Sequence, residues 1–105
     1  MSIPLDITFK GLEHSDALES KIRERAVKLE QHADRIQRCR VVIEAPHRHQ
    51  QKGALYEVRI DVRVPGEELV VNRSGRRDQA HEDPYIAVRD AFDAMATQLA
   101  KTQHL

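Results

Sequence analysis

Four cations in one stretch have the type and spacing to neutralise phosphate, Lys21, Arg25, Lys28 and Arg35; Arg89 and Lys101 stand further along the chain. Around the first four, Leu18, Ile22, Ala26, Leu29, Ala33 and Ile36 recur at three- and four-residue steps, which predicts an amphipathic helix of about 20 residues. At roughly 100° per residue, Lys21, Arg25, Lys28, His32 and Arg35 share one flank of that stripe. Glu19, Arg23, Glu30 and Asp34 fall on the other. A helix with one cationic flank can hold a polyanion in a preferred orientation. The competing reading is a solvated surface, whose pairs, such as Glu24 with Lys28, each contribute a few tenths of a kcal/mol.

Other chemistries find less support. His47 and His49 stand two apart in a polar stretch with Arg48 and Lys52, and His81 lies further on, but no cysteine or carboxylate completes a recognisable zinc spacing. The expectation is no metal, with these side chains reading as polar loop residues able to touch phosphate. There is no Gly-rich phosphate loop, and Ser74-Gly75 reads as an ordinary turn, so no catalytic residues and no cofactor are expected. The four aromatics, Phe9, Tyr56, Tyr85 and Phe92, each fall on an expected apolar face, which argues against a sheet that stacks unpaired bases.

The chain has 105 residues, one domain by size, and is long enough to bury a core without disulfides or metals. Its lone Cys39 reads as a core residue in a reducing, cytoplasmic setting. No apolar run approaches the roughly 20 residues that span a bilayer, and the first residues lack a signal-peptide plan. Net charge is zero, yet residues 1–20 carry one basic and four acidic groups. Residues 21–77 carry fourteen and eight, and residues 78–105 carry two and five, giving −3, +6 and −3. A neutral total can therefore hide a basic face.

The elements that must position these groups follow from the patterns. Ile3 to Phe9 alternates apolar and polar as a strand does, and Ser15 reads as a helix N-cap with Asp16 and Glu19 in the first turn. Cys39 to Glu44 is a short strand. Tyr56, Val58, Ile60, Val62 and Val64 alternate with Glu57, Arg59, Asp61 and Arg63, so one face is buried and one wet. Pro65-Gly66 turns that strand into Glu68–Arg73. Asp83 and Pro84 fit the cap and first position of a last helix, with Tyr85, Val88, Phe92, Met95 and Leu99 on one face. The order β-α-β-β-β-α predicts an α+β fold: a four-stranded mixed sheet with two helices on one face, its first two strands joined by a parallel crossover.

Lys28-Leu29-Glu30 late in the first helix, Asp83-Pro84-Tyr85-Ile86-Ala87-Val88 opening the second, and the β-rich middle resemble the hibernation-promoting-factor (HPF/RaiA) family of ribosomal subunit interface proteins. The resemblance runs from Ile3 to about Lys101. It implies a fold close to that of double-stranded-RNA-binding domains. It also implies a non-enzymatic factor that binds the decoding region of the small ribosomal subunit through rRNA phosphates and blocks translation sterically under stress. Arg25 and Lys28 match basic positions of the family's first helix, and Lys101 matches one in the second. Ala94 and Thr97 stand where the family usually has Lys and Arg, with Arg89 as a partial replacement. Arg73, Arg76 and Arg77 are further candidates. With neither an added dimerisation domain nor a long acidic tail, the chain is expected to match the short form and to be a monomer off the ribosome, with no membrane or small-molecule partner. The alternative is a protein-interaction module on the same fold, favoured by the neutral total and the thinned basic character of the second helix.

Overall fold

The computed structural model describes residues 4–33, 35–45, 56–74 and 83–102. The elements, in order, are β1 (Leu5–Lys10), α1 (Asp16–Leu29), β2 (Arg38–Glu44), β3 (Glu57–Val64), β4 (Glu67–Ser74) and α2 (Pro84–Thr102). They make the β-α-β-β-β-α fold that the patterns predict. The loop residues His47, Arg48, His49, Lys52, Arg76, Arg77 and His81 lie outside the described residues, as do Ile3 and Asp34.

The four strands stand in the order β1-β2-β3-β4. β1 runs parallel to β2, with Leu5 opposite Cys39 and Lys10 opposite Glu44. β2, β3 and β4 form an antiparallel meander, with Val41 opposite Ile60 and Ile60 opposite Val71. At the β3–β4 turn, Pro65 and the positive-φ Gly66 (φ 82°) supply what a type II turn needs at its two central positions.

One sheet face is dry. Cys39, Val41 and Ile43, then Val58, Ile60, Val62 and Val64, then Leu69 and Val71 are buried under both helices. α1 rests over β1 and against α2, and α2 lies over β3 and β4. The core is completed by Leu18, Ile22, Ala26 and Leu29 of α1 and by Ala87, Val88, Ala91, Phe92, Met95 and Leu99 of α2. Cys39 is fully buried, and burial, with the charge of Asp61 second, pushes its thiol up to about 12, which makes it unreactive.

Two expectations need correcting. α1 is 14 residues, not about 20. The apolar stripe does continue, since Ala33 and Ile36 are buried, but the backbone leaves the α-helix after Leu29 through i→i+3 bonds from Glu30, Gln31 and His32. The reason is geometric. A 14-residue helix is about 21 Å long, and a six-residue strand about 20 Å, so α1 returns the chain to the sheet edge where β2 must start. Twenty helical residues would overshoot by about 9 Å. α2 runs for 19 residues. The second correction is Tyr85, which is 39% exposed and off the buried stripe. The inward face of α2 uses Ala87 and Ala91 instead, both fully buried, whose small side chains let the helix approach the sheet closely.

Candidate nucleic-acid interface

Both helices are anchored at their N-termini by the residues that the sequence nominates. Ser15 Oγ accepts from the Leu18 N–H at 3.1 Å. Asp83 Oδ1 accepts from the Tyr85 N–H at 2.9 Å, and the Asp83 carbonyl accepts from Ala87. Lys28 and Lys101 then fall in the last turns of α1 and α2, where a cation suits the helix dipole. A network missing from the sequence reading braces the start of α1. His14 Nε2 lies 2.6 Å from Glu19 Oε1, and the Arg23 guanidinium donates to the other Glu19 oxygen at 2.8 Å. Arg23 first, then His14, holds the Glu19 carboxyl below its ordinary value of 4.5. His14, Asp16 and Glu19 are the one group of metal-capable side chains converging among the described residues. The Arg23 charge on Glu19 makes that cluster a helix-start brace and opposes a bound cation. The signal was present in the spacing, with Glu19 four residues before Arg23.

A groove runs between the two helices. Its lower part is lined by Arg25, Lys28 and His32 on one side and Asp93 and Ala96 on the other. It opens into an apolar recess of about 490 Å³ over Ala96 and Ala100, flanked by His32, Thr97 and Lys101. Three fixed cations and one histidine thus meet one acid, Asp93. Arg25 is half-buried, and its Nη1 lies 3.8 Å from Asp93 Oδ1, an ion pair that joins α1 to α2. Among the described residues neither Lys28 nor Lys101 makes an ion pair, although the Lys28 charge reaches Glu24 and helps to lower its carboxyl, so both ammonium groups are available to an external anion.

The other expected positions are distributed differently. Lys21 is exposed on the same flank of α1 but is paired with Glu24 at 3.2 Å, which lowers the Glu24 carboxyl. Arg89 is paired with Asp90 at 3.0 Å. Arg35 is not on α1 at all. It is exposed in the connection to β2, because the helix ends at Leu29, and it does not line the groove. Arg73 is exposed near the end of β4. Thr97 is exposed, with Oγ1 donating to the Asp93 carbonyl at 3.1 Å, whereas Ala94 is half-buried against the core.

The open sheet face is a different electrostatic object. Cross-strand rows set Asp6 beside Arg40 and Asp61, Lys10 beside Glu44 and Glu57, and Arg38 beside Arg63 and Glu68. Arg59 donates to Asp61 at 3.1 Å. Lys10, Arg38, Arg40, Arg59 and Arg63 balance Asp6, Glu44, Glu57, Asp61 and Glu68, five against five. A shallow groove of about 400 Å³ crosses this face, and it offers no net charge to a polyanion.

The fold has close counterparts. The crystal structure of the Thermus thermophilus Protein Y N-terminal domain is 22% identical and superposes with a TM-score of 0.73, covering 98% of this chain and all of that one. A ribosomal subunit interface protein from Coxiella burnetii is 18% identical, with a TM-score of 0.73 and coverage of 96% of this chain and 98% of that one. At these identities the likeness is one of fold. No curated protein sequence matches the chain significantly. The family profile described as Sigma 54 modulation protein / S30EA ribosomal protein matches residues 5–104, essentially the whole chain, and the protein belongs to that family.

Proposed function

We propose that this protein is a non-enzymatic ribosome hibernation factor of the cytoplasm. It binds rRNA phosphates of the small subunit with the groove between α1 and α2, and it blocks translation by occupying the decoding region. The single observation that carries the reading is the composition of that groove: Arg25, Lys28, His32 and Lys101 converge there against one acid, while the opposite face is neutral. Family membership supports the ribosome as the source of the phosphates. The Coxiella burnetii protein of the same fold is itself called a ribosomal subunit interface protein.

The physics is phosphate neutralisation with counterion release, so affinity falls steeply with salt. Lys28 and Lys101 act as point charges at the two ends of the groove. Arg25, tied to Asp93, exchanges that weak partner for phosphate. Lys21, Arg89 and Arg35 contribute from its surroundings. The test is sedimentation of purified small subunits with the protein, with and without a bound messenger and transfer RNA. Co-sedimentation with empty subunits, and displacement by the messenger–tRNA pair, is the expected result. Binding that is unaffected by the pair would overturn the decoding-region assignment.

A further inference from the structure

We infer that the free edge of β1 is a self-association surface, through which two copies pair β1 to β1 antiparallel about a two-fold axis at Thr8. β1 stands at one edge of the sheet, with no described segment on its outer side. The Cys39 N–H donates to the Pro4 carbonyl, and the Ala45 N–H to the Lys10 carbonyl, both at 2.9 Å. Because strand backbone groups alternate sides, the even-numbered residues aim theirs at β2, and Leu5, Ile7 and Phe9 aim theirs outward. These outward groups are a template for a further strand.

The side chains favour a strand there too. Leu5, Ile7 and Phe9 are only half-buried, whereas their counterparts on the inner faces of β2, β3 and β4 are 0–8% exposed. The other edge, β4, already buries Leu69 and Val71 and opens on two acids, Glu67 and Glu68. β1 also carries just the two charges Asp6 and Lys10, spaced symmetrically about Thr8.

Charge complementarity picks the partner and the register. With Thr8 opposite Thr8 of the second copy, Asp6 faces Lys10 twice on the open face, and Ile7 faces Phe9 twice on the apolar face. Ile7 and Phe9 then form hydrogen-bonded pairs, and Thr8 a non-hydrogen-bonded pair, the alternation that an antiparallel ladder requires. Centring on Ile7 instead would set Asp6 against Thr8 and leave both charges unmatched. The pairing joins two four-stranded sheets into one, with both helix layers on the same side. It departs from the monomer expected of the sequence, and it stands independently of the RNA reading.

Sedimentation equilibrium of the full chain tests it. The weight-average mass should rise from 12.1 kDa toward twice that value with concentration. Asp6→Lys and Lys10→Asp should each raise the dimer dissociation constant by roughly tenfold or more, because each sets like charges opposite one another. The double exchange should restore it, with circular dichroism unchanged throughout because both side chains are exposed. Thr8→Cys should cross-link copies on oxidation, since facing residues of such a pair lie about 4.5 Å apart at Cα, and Val70→Cys on β4 should not. A mass that stays at 12.1 kDa up to about 1 mM, single reversals without effect, or cross-linking through Val70→Cys instead would overturn the inference.

Discussion

The two faces of this molecule carry opposite lessons about charge. On the open sheet face, five cations and five acids balance, and cross-strand rows mix the two signs, as in Asp6–Arg40–Asp61. In the groove between the helices, three cations and His32 meet Asp93 alone, and two of those cations have no ion-pair partner among the described residues. Both faces belong to a chain of zero net charge. Net charge therefore says little about affinity for a polyanion; what matters is whether each cation already has an anion within reach. Solvent-exposed pairs contribute only about 0–1 kcal/mol to stability, so a paired cation is not lost to function, but it must give up its partner first.

The sharpest way to break this contrast is to reverse the groove. Arg25→Glu with Lys28→Glu should cost small-subunit affinity roughly a hundredfold at moderate salt, through two lost phosphate contacts and two new repulsions. The fold should survive, since Lys28 is exposed and the Arg25–Asp93 pair is long at 3.8 Å. Thermal melting that changes by no more than a few degrees would check that second half. A smaller effect in the other direction should follow from Asp93→Asn, which removes the one acid of the groove and frees Arg25. Affinity should rise several-fold, by roughly the 1.4 kcal/mol per tenfold scale or less. Titrating subunits against a labelled protein would measure it.

Thr97→Arg should raise affinity by less, and steepen the salt dependence by about one unit. Thr97 is exposed at the groove mouth, so the substitution costs little more than its hydrogen bond to the Asp93 carbonyl. Ala94→Lys is a poorer test because Ala94 packs against the core. The smallest effect concerns pH. Glu19 and Glu24 are held below 4.5 by Arg23 and Lys21, so their contribution to stability is present above 4.5 and is lost as pH falls below it. Melting temperature should drop slightly between about pH 5 and 3, the drop should shrink in high salt, and Glu19→Gln with Glu24→Gln should abolish most of it.

The parts of this structure that were legible in the sequence are those where a local rule acts alone. The alternation predicted over Tyr56–Val64 is β3 from Glu57 to Val64, with Val58, Ile60 and Val62 fully buried and Tyr56 half-buried just before it, and Ser15 and Asp83-Pro84 mark both helix starts. The end of α1 was not legible. Ala33 and Ile36 keep the helical spacing of burial while the backbone has already left the helix, so the apolar stripe alone does not mark the stop. Arg35 therefore stands beyond the helix and not on the flank that the spacing predicts. A stripe of large side chains does not reveal the alanines of α2, yet Ala87 and Ala91 bury as completely as Met95 does. Arg25 and Lys28 were legible as one flank, but the pairing of Arg25 with Asp93 depends on how α2 lies beside α1.

The central claim is that the cations of the groove, and not those of the sheet, meet phosphate. Its most direct test is the salt dependence of small-subunit binding from about 50 to 200 mM for three proteins: the wild type, Arg25→Gln with Lys28→Gln, and Arg40→Gln with Arg59→Gln. Each pair removes two positive charges, so net charge is matched. The account predicts that the groove pair lowers the slope of log affinity against log salt by about two units, and that the sheet pair leaves it unchanged. Equal slopes for the two variants, or a loss confined to the sheet pair, would contradict it.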